Sequence, residues 1–170
     1  MTVLAAAALA GAVATLAAAS PAGDRAVRAC AGGDLRPLGG MLQGATGSMV
    51  GTLSFRNVSS SRCRVGGRPA VQVFTRAGAL LPTRERPISL AEVGGRPRPV
   101  AAAGGRIALY LAWSNWCGPW PGGVATLRQL VLRLTLTTGV RLSAPFRAGR
   151  PRCDVRARST IAVSPFRTEA

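Results

Sequence analysis

From position 49 onward, apolar and polar residues alternate. Met49, Leu53 and Phe55 fall on one side, and Val50, Thr52, Ser54 and Arg56 on the other. This period of two is that of a half-buried β-strand. It returns at Val71 and Val73, and at Ile107, Leu109, Leu111 and Trp113. It returns again at Leu130, Leu132, Leu134 and Leu136, with Gln129, Arg133 and Thr135 facing out. Turn-forming runs separate these stretches: Asn57 to Ser61, Gly66-Gly67, Arg76-Ala77-Gly78 and Thr138-Gly139. A first, irregular strand is expected around Leu35 to Leu42. Leu80 and Leu81 resume after one turn, and Val140 and Leu142 begin a hairpin partner for the Leu130 strand. A last strand is expected from about Val155 to Val163. Residues 82–105 are rich in proline, glycine and arginine, and read as a long connection with at most one short strand. No stretch beyond the N-terminus carries a helical stripe. Roughly seven to nine short strands predict an all-β, immunoglobulin-like, two-sheet antiparallel sandwich.

Thr2 to Ala19 is uncharged and mostly alanine, and Ala17-Ala18-Ala19 offers the small residues a signal peptidase prefers. Residues 1–22 are therefore expected to be a signal peptide cleaved near Ala19 or Ala22. No basic residue precedes the apolar run, where a signal peptide carries a positive n-region. An uncleaved anchor is the alternative, although the run is short for a span and alanine is a weak membrane residue. Residues 23–170 then form one domain of about 150 residues, long enough for its own core.

The four cysteines, Cys30, Cys63, Cys117 and Cys153, change the picture most, because the chain has no histidine. An even cysteine count behind an export-like segment reads as a disulfide framework in an oxidising compartment. Four cysteines allow three connectivities. The proposed strand order brings the start of the first strand to the end of the second, favouring Cys30–Cys63. The same reasoning at the Leu130 hairpin favours Cys117–Cys153. Zinc sites built on four cysteines show close cysteine pairs, and these cysteines are widely separated. Without histidine, a nucleophilic thiol lacks its usual base. No metal and no cofactor is expected.

Net charge is +16, carried by arginine alone, with six acids. A GC-rich coding sequence accounts for much of this composition, but the field acts whatever its origin. It favours anionic partners: wall polymer, lipid or nucleic acid. The arginines run from Arg25 to Arg167 without forming a basic block, which disfavours a nucleic-acid-binding tail. The scattered carboxylates give no acid/base pair, and no phosphate loop is present. Asn57-Val58-Ser59 fits a glycosylation sequon, which carries no meaning in a bacterial host.

Candidate ligand contacts are Tyr110, Trp116 and Trp120, with Arg96 and Arg98 foremost in a second patch of Arg84, Arg86, Arg96, Arg98 and Arg106 on the long connection. Flat rings suit sugars and apolar ligands, and arginine pairs with phosphate and carboxylate. Trp113 shares a face with Ile107 and is expected inside. Trp116 and Trp120 lie in a loop and are expected to be reachable, so their truncation should leave stability nearly intact.

Several segments together are similar to an exported actinobacterial family, domain of unknown function 4232. They are the early cysteine with Asp34-Leu35, Gly44-Ala45-Thr46-Gly47-Ser48 leading into Leu53-Ser54-Phe55-Arg56-Asn57, and Cys63-Arg64-Val65-Gly66-Gly67-Arg68-Pro69. Trp113-Ser114-Asn115-Trp116-Cys117-Gly118 and Pro151-Arg152-Cys153 complete the set. The resemblance covers residues 28–165 and implies a secreted or envelope-attached β-sandwich with no established catalytic residues. The expected function is a non-catalytic binding or structural domain of the bacterial envelope, acting as a monomer. Its expected partners are anionic wall polymer, lipid or an envelope protein, with membrane contact only through an uncleaved N-terminal segment. An envelope enzyme acting on glycans is the alternative, followed by a secreted nucleic-acid-binding protein.

Overall fold

A computed structural model of the chain describes residues 26–120 and 126–167. The expected signal segment, residues 1–22, lies outside them. The fold is all-β and sandwich-like. Eleven strands are found among the described residues: β1 Leu35–Ala45, β2 Ser48–Asn57, β3 Cys63–Arg64, β4 Ala70–Thr75, β5 Leu80–Leu81, β6 Arg84–Pro87, β7 Val100–Ala101, β8 Arg106–Ser114, β9 Arg128–Thr135, β10 Arg141–Ala148 and β11 Thr160–Val163. Nine of them form one sheet in the order β5-β4-β9-β10-β1-β2-β8-β11-β6, and β3 pairs with β7 in a small second sheet.

The two layers are thus largely one sheet curled on itself, where two separate sheets were expected. β1 makes the curl possible by pairing on both sides. It runs antiparallel to β2 along its whole length, and parallel to β10 only at Met41 and Leu42. A bulge at Leu38 shifts its register between Pro37 and Gly39, and Gly39 takes a φ of +85° that a side chain would oppose. The bulge also resolves the irregular pattern of this strand. Leu35 and Leu42 are both buried although they stand an odd number of residues apart, because the extra residue swaps the faces. The far edges of the sheet approach each other, and the Glu85 carboxylate accepts the Val71 N–H at 2.7 Å across the gap.

Inward residues of β2, β8, β9 and β10 fill the interior, with Leu53, Phe55, Leu109, Leu111, Leu132 and Phe146 all buried. Burying each such side chain contributes about 1.5–3 kcal/mol. Phe166 closes the core against Phe55, edge to face with centroids 5.9 Å apart.

Two expectations need correction. The 82–105 connection holds two strands, β6 and β7, and a one-turn helix, α1 Leu90–Val93. β6 is an edge strand pairing parallel to β11, so Arg-Glu-Arg-Pro has no buried face to write an alternation. The last strand is only Thr160–Val163; Val155 stands 86% exposed in the loop before it. That loop turns where the Asp154 carboxylate accepts the Arg156 N–H, an Asx arrangement that competes with strand pairing.

Both disulfides form as expected, Cys30–Cys63 and Cys117–Cys153. They sit at opposite poles of the curled sheet. β8 enters at Arg106 beside the first and leaves at Ser114 beside the second. Two disulfides suit an oxidising, extracytoplasmic environment. No helix among the described residues is long and apolar enough to cross a membrane.

Candidate functional site

At the Ser114 pole the chain leaves β8 and folds back over the open end of the core. Trp113 is fully buried, and its ring meets Trp116 on one side and Trp120 on the other, both with centroids 5.8 Å away. Trp116 is only 6% exposed and Trp120 only 9%. Each indole N–H is satisfied: Trp113 donates to Ser159 Oγ at 3.0 Å, Trp116 to the Pro119 carbonyl at 3.4 Å, and Trp120 to the Thr126 carbonyl at 3.0 Å. Gly118 lies flat on the Trp116 ring, so that a Cβ there would strike the indole.

The expectation that Trp116 and Trp120 are reachable from solvent is therefore corrected. A loop position does not expose a ring when the loop itself is the lid. The Cys117–Cys153 bond and the Arg150 Nε–H, which donates to the Trp116 carbonyl at 3.2 Å, hold that lid shut. Beside it, Asn115 adopts a left-handed φ of +56° and clasps the neighbouring loop: its amide donates to the Ala157 carbonyl and its oxygen accepts the Asp154 N–H. This cost of strain is met by side-chain hydrogen bonds that asparagine can make there.

The remaining candidates stand elsewhere. Tyr110 is half-buried on the outer face of β8, with the Arg167 guanidinium 6.0 Å from its ring centroid. Arg167 is occupied by Thr52 Oγ1 at 3.0 Å and the Gly94 carbonyl at 3.2 Å. Arg96 and Arg98 are exposed on the segment before β7, which is tied down where the Arg98 N–H donates to the Phe166 carbonyl at 2.8 Å. The aromatic and cationic candidates thus do not converge on one site.

The Arg106 pole is built differently. Strand register places Arg36 of β1 opposite Arg56 of β2, and Arg56 opposite Arg106 of β8. Their inward neighbours Leu35, Phe55 and Ile107 are buried, so all three arginines face out from adjacent strands. Adjacent strands are about 4.8 Å apart, which gives a row of three cations about 10 Å across. Like charges opposite one another are unfavourable, by roughly 0.2–1 kcal/mol per pair. Arg56 Nε–H donates to the Gly104 carbonyl at 3.2 Å, steadying one member. A shallow groove of about 510 Å³ runs beside the row, lined by Arg36, Arg56 and Gly104 together with Leu38 and Val58.

A network of polar bonds ties this pole together. Asn57 is fully buried; its amide donates to the Ser61 and Ala101 carbonyls at 2.9 and 3.2 Å, and its oxygen accepts from Ser59 N–H and Oγ. With both amide protons used inside, Asn57 is not placed to carry a glycan, which removes the sequon reading. Asp34 accepts from Arg28 at 2.6 Å and from the Ala31 N–H at 2.6 Å. The Arg28 guanidinium first, then that N–H, holds the Asp34 carboxyl below its ordinary range.

Sequence reasoning grouped Arg106 with the arginines of the long connection and did not join it to Arg36 and Arg56. The three residues lie far apart in the chain, and only pairing register joins them. No group of three acidic, cysteine or histidine side chains suited to a metal occurs among the described residues. The chain matches no family model, no curated protein and no solved structure, so its likeness to domain of unknown function 4232 rests on the quoted residues alone.

Proposed function

We propose that this chain is an exported, non-catalytic binding domain of the bacterial envelope whose ligand is anionic, with an immunoglobulin-like architecture akin to domain of unknown function 4232. The observation that carries this reading is the in-register row Arg36–Arg56–Arg106 on an outer face. Exposed arginines on adjacent strands suit an oxyanion, because guanidinium forks bind phosphate or carboxylate through paired hydrogen bonds.

The carboxylates support a binding role over catalysis. Asp34 serves Arg28, Glu85 closes the sheet gap, Glu92 caps α1 with Ser89, and Asp154 turns a loop. Among the described residues each of these four is engaged in holding the backbone, and no two face each other across a cleft in the way hydrolytic acid/base pairs do.

The test is retention on purified cell-wall material across a salt series, with DNA and a charge-matched basic protein as controls. Retention beyond the control, at salt that strips the protein from DNA, is the expected result. Retention that merely follows the control would reduce the charge to a non-specific field.

A further inference from the structure

Resting on that reading, the geometry points to a specific surface and ligand: the Arg106 pole docks on a bilayer containing anionic phospholipid. Arg36, Arg56 and Arg106 would contact headgroup phosphates, while Leu38 and Val58 enter the interface.

Three observations converge on it. The first is the cation row itself, three exposed arginines in register on adjacent strands and spread over about 10 Å. A flat array of mobile phosphates satisfies such a row without demanding one fixed spacing. The second is apolar. Leu38 is 44% exposed and Val58 52%, and both line the groove shared with Arg36 and Arg56. A soluble polyanion would leave these side chains in water, whereas a membrane interface buries them beside their cationic neighbours. The bulge that lifts Leu38 outward is what places it there. The third is the point where the chain enters. The Arg28 carbonyl accepts the Arg64 N–H at 2.7 Å, which fixes the first described residues at this same pole. The apolar sequence 2–19 is thus joined to the domain on the side that carries the row. Retained or cleaved late, that segment would deliver this pole to the bilayer. Asp34, whose charge would otherwise oppose the approach, is neutralised by Arg28.

The experiment is co-sedimentation of the full chain with phosphatidylcholine vesicles and with vesicles that also contain phosphatidylglycerol. Binding to soluble inorganic polyphosphate is measured in parallel. The readout is the ratio of anionic to zwitterionic vesicle binding, so the apolar segment contributes equally to every variant. The triple variant Arg36→Gln/Arg56→Gln/Arg106→Gln should lose on the order of a hundredfold in that ratio, because each surface arginine contributes several-fold. A charge-matched triple at the other pole, Arg76→Gln/Arg156→Gln/Arg158→Gln, should lose less than about tenfold. The double variant Leu38→Ser/Val58→Ser should weaken vesicle binding and leave polyphosphate binding unchanged. Equal losses from both triples would overturn the assignment to this pole. Polyphosphate binding without preference for anionic vesicles would overturn the lipid and leave the anion-binding function standing. Failure to bind vesicles, polyphosphate and wall material would overturn that function as well.

Discussion

The two poles carry the same kind of staple and use it oppositely. Each disulfide closes a loop of similar length, with sequence separations of 33 and 36, so loop entropy alone gives both about 4 kcal/mol. At the Arg106 pole Cys30 and Cys63 are buried, and the surface outside them is cationic and solvated. At the Ser114 pole Cys117 and Cys153 are exposed, and three tryptophans lie beneath them. One bond is part of the core and frees the outer face for contact. The other is a clasp over a lid, and the aromatic residues that resemble a ligand platform are its filling.

The largest effects should come from the bonds themselves. Cys30→Ala/Cys63→Ala should cost more than Cys117→Ala/Cys153→Ala, because the buried pair loses packing as well as about 4 kcal/mol of loop restraint. Denaturant melts of both variants check the order, and equal losses would erase the distinction between core bond and clasp. Exposure also predicts that a mild reductant opens Cys117–Cys153 first, which mass mapping of alkylated thiols would follow.

Next comes the lid. Trp116→Ala should cost about 3–5 kcal/mol, the range for truncating a large buried aromatic side chain. A loss below about 1 kcal/mol in the same melts would return Trp116 to the surface and restore the aromatic binding site. At the opposite pole, Asn57→Ala should cost about 2 kcal/mol, since it removes a fully buried side chain and strips the buried Ala101 carbonyl and the half-buried Ser59 N–H of a partner. Asn57→Asp keeps the size and loses the two donors, and should be nearly as damaging.

The smallest effect is one of pH. The Asp34 carboxyl is held below its ordinary range in the folded protein. Its contribution is fully present above the unfolded value of about 3.9 and disappears as pH falls through the lower folded value. Melting temperature should therefore decline in strong acid, and Asp34→Asn should flatten that part of the profile. An unchanged profile would mean that the Arg28–Asp34 contact adds nothing to the cationic pole.

How much of this was legible follows from what each residue faces. β8 and β9 could be read directly, because one or both of their faces meet the core along their full length. β1 was legible only in part, since the bulge at Leu38 breaks the period that would announce it. β6 was hidden because edge pairing needs no hydrophobic face. The capping box of α1, Ser89 with Glu92, was written in the sequence as a serine three residues before a glutamate, and it could have been found. The disulfide pairing followed from strand order, which survived the change from two sheets to one curled sheet. The tryptophans were misplaced because burial of a loop depends on what it covers. Arg36, Arg56 and Arg106 became neighbours only through register, a long-range property that no local window contains.

The most direct test of the cationic pole is a nitrogen-15 NMR titration that follows the arginine Nε–H and backbone signals while short-chain phosphatidylglycerol is added below its micelle concentration. Arg36, Arg56, Arg106 and the Leu38 and Val58 amides should shift together and first, while Arg76, Arg156 and Arg158 stay in place. Shifts spread evenly over the arginines, or concentrated around Trp116 and Trp120, would contradict it.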